Sequence, residues 1–168
     1  LRERGERIDK RLDPHLPFLK ASADQLKQVL LNLFLNAADA MPEGGTITVS
    51  TTLLGTARLG MPHSLSVQLQ VRDNGVGIAE EDLPHIFEPF FTTKEPERGT
   101  GLGLATVYRI VKRAQGHVLV QSELGRGTTF DVLGPRVAGP VETTLRAAPE
   151  LTARSSRGEI ILLVEDDP

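Results

Sequence analysis

Residues 74–101 constrain the fold of this chain strongly, because glycine and proline interrupt them repeatedly and hydrophobic periodicity is nearly absent. Such a segment forms no continuous helix or strand, so the core has to come from the regular patterns on either side. A connection of this length inside a chain of 168 residues is usually functional. The sequence therefore predicts one domain with a functional segment between two regular halves.

The flanking sequence predicts a mixture of helices and strands. Ser22 and Gln25 have the spacing of a capping box, which marks the start of an amphipathic helix. Alternating apolar residues and runs rich in Val, Ile and Thr mark the strands. The predicted elements are an edge strand around 7–9, a helix at 22–41, strands at 46–53 and 65–71 joined by a hairpin loop at 55–63, a helix at 103–114 that Gly116 ends, and strands at 117–120 and 128–133. They predict a two-layer α/β sandwich with a mixed sheet packed on helices.

Composition excludes several classes of protein. The chain has 22 acidic and 19 basic side chains, a formal net charge of −3, and no cysteine. It therefore has no disulfide or zinc–thiolate site, and no electrostatic signature for nucleic acid or an anionic membrane. No apolar run approaches the roughly 20 residues that span a bilayer. We expect a cytoplasmic domain that makes no direct membrane contact.

A polar stripe follows the first predicted helix, opposite its apolar face. Gln28, Asn32, Asn36 and Asp39 fall within one arc at about 100° per residue. A solvated face is the simpler explanation, but asparagine is a poor helix former and solvated faces favour Glu, Lys and Gln. Amide oxygens can ligate a hard cation such as Mg²⁺. The stripe is therefore a candidate metal-facing surface.

Two glycine clusters bracket the irregular segment. The first, at 73–77, follows a strand and places Asp73 at a sharp turn, which a simple Asn-Gly turn would also explain. The second, at 99–104, leads into a helix, where free N–H groups and the positive end of the helix dipole suit phosphate. No Gly-Lys-Ser or Gly-Lys-Thr is present, which excludes a Walker A loop, and the glycine spacing differs from the dinucleotide fingerprint.

The order of the motifs carries more information than each motif alone. The series is Asn32 and Asn36 on a helix, Asp-x-Gly-x-Gly at 73–77, Phe-Glu-Pro-Phe-Phe-Thr-Thr-Lys at 87–94, Gly-Thr-Gly-Leu-Gly-Leu at 99–104, and Gly-Arg-Gly-Thr at 125–128. It resembles the catalytic, ATP-binding domain of sensor histidine kinases, in the superfamily shared with gyrase, Hsp90 and mismatch-repair ATPases. The resemblance covers residues 1–135. It implies a Bergerat fold, a mixed sheet on helices with ATP under a lid at 92–101.

The resemblance also implies roles for individual residues. Asp73 should accept the adenine amino group, Asn36 should coordinate Mg²⁺, and Lys94 should contact the phosphates. Asn32 and Lys94 are the implied catalytic residues. The complete set implied to bind ATP is Asn32, Asn36, Asp39, Asp73, Gly75, Gly77, Ile78, Phe87, Thr93, Lys94, Arg98, Gly99, Thr100, Gly101, Leu102, Gly103, Leu104 and Thr128.

Asn32 bears on the reaction. Hydrolysing members of the superfamily carry a Glu at this place, and an amide cannot act as a general base. The resemblance therefore implies an ATP-dependent protein-histidine kinase that phosphorylates a histidine on a separate dimerisation helix. None of the four histidines has the context of a phosphoacceptor; they are His15, His63, His85 and His117. The alternatives are a hydrolysing ATPase, a non-catalytic nucleotide-binding module and a serine-directed kinase.

The two ends of the chain suggest a fragment. Residues 1–136 form the predicted catalytic domain, and 137–158 have the composition of a linker. Residues 159–168 resemble the first strand and acidic cluster of a receiver domain, although an apolar tail followed by solvated acids is the alternative. The chain starts at Leu1 rather than Met. We expect a monomeric piece of a hybrid kinase whose partners are its own histidine-bearing domain and a response regulator or receiver domain.

Overall fold

The computed structural model describes residues 5–17, 19, 21–55, 65–94 and 99–136. Within them, five strands form one mixed sheet that packs on two helices. The elements are β1 (Glu6–Arg11), α1 (Ala23–Asp39), β2 (Gly45–Gly55), β3 (Leu65–Asp73), α2 (Gly103–Arg113), β4 (His117–Glu123) and β5 (Gly127–Pro135). The predicted two-layer sandwich is confirmed, including the edge strand near the start of the chain.

The strands follow the order β1-β2-β3-β5-β4 across the sheet. β1 runs parallel to β2, and every other neighbouring pair is antiparallel. The register aligns Val49, Val71, Phe130 and Val120 in one row across four strands. Because alternate residues of a strand point to the same face, this row forms the floor on which the helices pack. The register also brings the end of β3 beside the start of β5.

Both helices contribute apolar side chains to one core. Val29 and Leu33 of α1 and Val107 and Val111 of α2 are almost completely buried against the sheet. Each follows the helical period that the sequence shows. Burying a side chain of this size contributes about 1.5–3 kcal/mol, so the core holds α1 and α2 in fixed positions relative to the sheet.

The start of α1 agrees with the predicted capping box. The Ser22 hydroxyl accepts a hydrogen bond from the Gln25 amide at 3.5 Å. The helix ends at Asp39, slightly before the predicted end at Met41. The Ala40 and Met41 amides still donate to α1 carbonyls, so the prediction extended the helix only into its irregular last turn.

The end of α2 differs from the prediction. Gln115, not Gly116, adopts the left-handed conformation after the helix, with φ of 58°. The Gly116 amide donates to Val111 O and the Gln115 amide to Lys112 O, which is a Schellman motif. Gly116 is required for another reason, because a Cβ there would collide with the carbonyl oxygen of Leu133. The glycine allows close approach to β5 rather than a positive φ.

Among the described residues, no helix is long and apolar enough to cross a bilayer. Several predictions concern parts of the chain that lie outside the described residues. These are most of the hairpin loop, the central part of the expected lid, the linker and the receiver-like tail; the corresponding ranges are 56–64, 95–98, 137–158 and 159–168.

Candidate functional site

A cavity of about 380 Å³ lies between α1, the irregular segment after β3 and the start of α2. Its volume is within the range of small-molecule pockets. The structure brings both glycine clusters together with Asn32, Asn36 and Asp39 of the polar stripe around it, whereas Gln28, the first residue of the stripe, is exposed and does not line it. Of the residues assigned to ATP by resemblance, those that line the cavity are Asn32, Asn36, Asp39, Asp73, Gly77, Ile78, Thr93, Lys94, Gly99, Thr100, Gly101, Gly103, Leu104 and Thr128.

Three of the other assigned residues, Gly75, Phe87 and Leu102, do not line the cavity. Gly75 is packed so closely on the Ala40 carbonyl that a Cβ would meet it at 2.5 Å. The ring of Phe87 packs on Tyr108, with centroids 5.5 Å apart, and belongs to the margin of the core. Leu102 is the N-cap residue of α2 and is exposed. Arg98 lies outside the described residues.

Several lining residues were not assigned from the sequence. Most of these residues are apolar and belong to the same hydrophobic patterns as the core. Their spacing in the sequence therefore does not distinguish residues that line the cavity from residues buried in the interior. Ser122 is a further residue that the sequence did not indicate, and its role is visible only in three dimensions. The unassigned lining residues are Leu35, Ala37, Ala40, Val76, Asp82, Ile86, Phe91, Thr92 and Phe130.

Asp73 defines the buried end of the cavity. Its Oδ1 accepts hydrogen bonds from the main-chain amides of Gly75 at 2.9 Å and Thr128 at 3.1 Å. Within the described residues, its Oδ2 receives no hydrogen bond, which leaves one acceptor for a bound molecule. Burial raises the pKa of the Asp73 carboxyl above its ordinary value, and these two amides only partly counter that effect.

Ser122 ties the two walls of the buried end together. Its hydroxyl oxygen accepts a hydrogen bond from the Ile78 amide at 2.8 Å and lies 2.9 Å from the Thr128 hydroxyl. The same hydroxyl donates to Gly127 O at 3.1 Å. The segment after β3 is therefore fixed to the β4–β5 hairpin, which keeps the acceptor of Asp73 in place.

Gly77 allows this arrangement through its backbone. Its φ of 75° lies in the left-handed region, and a Cβ there would collide with the carbonyl oxygen of Glu123. The fold therefore requires glycine at this position independently of any ligand.

The opposite end of the cavity, the helix end, lies where the last turn of α1 faces the first turn of α2. A Cβ on Gly103 would lie 3.8 Å from Asn32 Oδ1 and 4.0 Å from Asn36 Nδ2, so the two helices meet here. Among the residues that the structure describes, no side chain caps the amides at the start of α2. Free N–H groups and the positive end of a helix dipole favour an anion.

Lys94 adds a cation to the helix end. Its Nζ donates to Asp39 Oδ2 at 2.7 Å and to Asn36 Oδ1 at 3.2 Å. The Asn36 Nδ2 atom is buried without a partner among the described residues. At the helix end, Asn36 Oδ1 and the Asp39 carboxylate therefore already accept hydrogen bonds from the Lys94 ammonium, whereas the Asn36 Nδ2 donor is still unused among the described residues.

The donor set at the helix end also fits a magnesium ion, because Asn36 Oδ1 and the Asp39 carboxylate are hard oxygen ligands. In the part of the chain that the structure describes, no three His, Cys, Asp or Glu side chains form a metal-binding group. A magnesium ion would consequently need phosphate and water oxygens to complete its coordination, as is usual for this ion.

Comparison with known proteins shows which sequences and folds this chain resembles. The family model for histidine kinase-, DNA gyrase B- and HSP90-like ATPases matches residues 21–138. The sensor kinase CckA of Brucella abortus is 40% identical over 162 residues, which cover 89% of this chain and 17% of the relative. Sporulation kinase E of Bacillus subtilis is 41% identical over 120 residues, covering 71% of this chain and 15% of the relative. The chain therefore spans only a small part of these relatives.

Solved structures show the same fold. The catalytic domain of histidine kinase ThkA superposes with a TM-score of 0.65 at 30% identity, covering 82% of this chain and 84% of that domain. Full-length ShkA in complex with AMPPNP superposes with a TM-score of 0.64 at 30% identity, covering 83% of this chain and 28% of ShkA. Because the family model matches most of its length and solved members have its fold, this chain belongs to the family of histidine kinase-, DNA gyrase B- and HSP90-like ATPases.

Proposed function

We propose that the chain binds Mg-ATP and donates the γ-phosphoryl group to a histidine on a separate dimerisation helix in two-component signalling. The observation that carries this proposal is the polarity of the cavity, with an open carboxylate acceptor at its buried end and cationic and N–H donors at its helix end. The names of the relatives, which are sensor and sporulation kinases, support it. So does the ShkA complex with the ATP analogue AMPPNP.

The buried end suits adenine. The adenine amino group is a donor, and Asp73 Oδ2 is the acceptor that remains after Oδ1 has bound two main-chain amides. A hydrogen bond to a buried charged group contributes roughly 1.5–3 kcal/mol. Ile78 and Phe130 supply apolar wall area for the flat base.

The helix end suits the triphosphate. The uncapped start of α2 offers main-chain donors, and the Lys94 ammonium offers a point charge. Asn36 would hold the magnesium ion, with Asn32 on the same helix face and Asp39 close by. The ion would neutralise phosphate charge, which is a large part of catalysis in phosphoryl transfer.

Asn32 favours transfer over hydrolysis. Its amide lines the cavity at the helix end, where a general base would activate water, and an amide cannot take up a proton at neutral pH. In the proposed reaction, a histidine ring nitrogen bonds to the γ-phosphorus while the bond to the β–γ bridging oxygen breaks. ADP leaves with that oxygen.

The acceptor helix has an apolar surface to dock on. Exposed apolar side chains lie on the elements that border the cavity: Leu31 and Leu35 on α1, Phe90 in the irregular segment and Leu102 at the start of α2; Leu35 lines the cavity itself. Exposed apolar groups at the mouth of a cavity are typical of a binding surface for another protein segment. We propose that the partner is the histidine-bearing domain of the longer kinase, acting in the cytoplasm, and that the tail at 159–168 begins a receiver domain.

The proposal is tested in two steps with the same chain. Calorimetric titration with Mg-ATP and with Mg-ITP measures binding, because ITP carries an oxygen where ATP carries the amino group. We expect binding of ATP and clearly weaker binding of ITP. A purified histidine-bearing helical domain with radiolabelled ATP then tests transfer; a phosphorylated product that is acid-labile supports it. Release of inorganic phosphate without the partner would instead support the hydrolysing ATPase.

A further inference from the structure

Lys94 forms an ion pair with Asp39 at the helix end of the cavity. Its Nζ lies 2.7 Å from Asp39 Oδ2, across 55 residues of sequence, and 3.2 Å from Asn36 Oδ1. The Lys94 and Asp39 side chains are 34% and 44% exposed, so solvent screens the pair only in part. The residue proposed to meet the phosphates is thus already engaged by two side chains of α1.

The position of Asp39 explains why a cation is needed there. Asp39 is the last residue of α1, and the last turn of this helix contains no basic residue. The carbonyl groups at a helix C-terminus form the negative end of its dipole, where an acidic side chain is unfavourable. Lys94, which lies in the irregular segment, supplies the positive charge that the last turn of α1 lacks.

We propose that Asp39 is a positioning residue, which acts through Lys94 rather than by touching the nucleotide. It holds the ammonium at Asn36 Oδ1 in the nucleotide-free chain. Lys94 and the divalent cation then alternate at that oxygen. This inference rests on the proposed function, because it needs a nucleotide-bound metal ion at Asn36.

The alternation follows from charge and space. An ammonium and a divalent cation bound to the same amide oxygen would lie only a few ångströms apart, and their positive charges would repel each other strongly. Bound phosphates attract the ammonium, and a metal ion at Asn36 repels it. Lys94 therefore leaves Asp39 for the phosphates when the nucleotide binds, and it returns when the nucleotide leaves.

The positioning role is tested on the nucleotide-free chain by a double-mutant cycle. Unfolding by urea is measured for the wild type, Asp39→Asn, Lys94→Met and the double variant. In the Lys94→Met background, removing the acid from the helix C-terminus should lower the unfolding constant by about two- to fivefold. In the wild type this gain should be absent, because the same change also breaks the ion pair.

Asp24→Asn is the matched control for this cycle. Asp24 also pairs with a lysine on α1, since Lys27 Nζ lies 3.1 Å away, but the pair lies at the opposite end of the helix. Its effect should be the same with and without Lys94. An Asp39→Asn effect that is equally independent of Lys94 would overturn the positioning role.

The alternation is tested by hydrogen exchange at the Thr93 and Lys94 amides. Asp39→Asn should speed exchange in the free chain and leave it equal to wild type once Mg-ATP is bound, whereas Asp39→Glu should restore protection in the free chain. Exchange that still depends on Asp39 in the bound chain would overturn the alternation. Absence of Mg-ATP binding by the wild type would overturn the proposed function together with the alternation, while the unfolding cycle would still decide the positioning role.

Discussion

The main-chain amide of Thr128 donates a hydrogen bond to Asp73 Oδ1 at 3.1 Å, and so links the end of β3 to the start of β5. The two strands are antiparallel neighbours, with Arg72 opposite Thr129 in the register. The sheet itself therefore determines where the carboxylate lies. Because Oδ1 is occupied by backbone donors, Oδ2 is left oriented for a ligand before one arrives, and little ordering cost is paid on binding.

Asp73→Asn should weaken ATP binding by about thirtyfold, or ~2 kcal/mol, without unfolding the chain. The asparagine Oδ1 can still accept from the Gly75 and Thr128 amides, but its Nδ2 replaces the acceptor that faces adenine. Calorimetric titration measures the affinity, and circular dichroism checks the fold.

Asp131→Asn is the matched control for the previous variant. Asp131 is a buried carboxylate on the adjacent strand and does not line the cavity. Its Oδ1 accepts from Gln68 and Gln70 at 2.7 and 2.8 Å. ATP affinity should be unchanged by this substitution. Equal losses in the two variants, or none in Asp73→Asn, would refute the adenine contact.

Acidification should change stability and affinity in opposite directions through Asp73. Burial raises the pKa of this carboxyl, so the folded chain binds its proton more tightly than the unfolded chain does. Its contribution to stability is therefore greatest at low pH and decreases as pH rises between the ordinary and the raised pKa. ATP affinity should instead fall on acidification, because the charged acceptor is lost.

Asp73→Asn tests this pH dependence, since the amide does not titrate. As pH rises from the ordinary pKa of an aspartate through the raised pKa of Asp73, the unfolding free energy of the variant should increase relative to that of the wild type. Its residual ATP affinity should show no step in the same range. Urea unfolding and calorimetry across that range measure both quantities, and parallel pH profiles of variant and wild type would exclude Asp73 as the titrating group.

Gly103→Ala should weaken ATP binding while preserving stability. The new Cβ would make only an ordinary contact, 3.8 Å from Asn32 Oδ1, and alanine favours helix by up to about 1 kcal/mol over glycine. The methyl group would nevertheless occupy space beside the first amides of α2. Losing one charge-assisted phosphate contact should cost roughly tenfold in affinity. Adenosine, which lacks phosphates, should bind the variant and the wild type equally.

Gly77→Ala should destabilise the fold more than Gly125→Ala does. Both glycines have a positive φ, 75° and 77°, so the backbone strain of an alanine is about 1 kcal/mol in each. Only at Gly77 does a Cβ collide with the Glu123 carbonyl, whereas no atom of the described residues lies within 4 Å of a Cβ at Gly125. Chemical unfolding should show at least twice the loss for Gly77→Ala. Similar losses would mean that the Glu123 backbone moves away easily.

Hydrophobic periodicity and motif order predicted most of the fold, because both are local properties of the chain. The apolar positions of α1, Val29 and Leu33 among them, follow from a helical repeat that the sequence displays directly. The end of α2 was predicted wrongly because glycine serves two purposes. Gly116 is needed for close packing on β5, and Gln115 takes the left-handed conformation that glycine usually supplies.

The sequence by itself determined the elements, the family and the chemical types available for a nucleotide site. Only the tertiary structure decided which groups are already in use, such as the Ser122 hydroxyl between Ile78 and Thr128 and the Asp39 carboxylate on Lys94. The contacts of Ser122 with Ile78 and of Asp39 with Lys94 join residues 44 and 55 positions apart through sheet register and helix packing. Each contact contributes only about 1 kcal/mol to stability. Each also joins single residues and does not repeat along the chain, so no periodic pattern in the sequence reveals it.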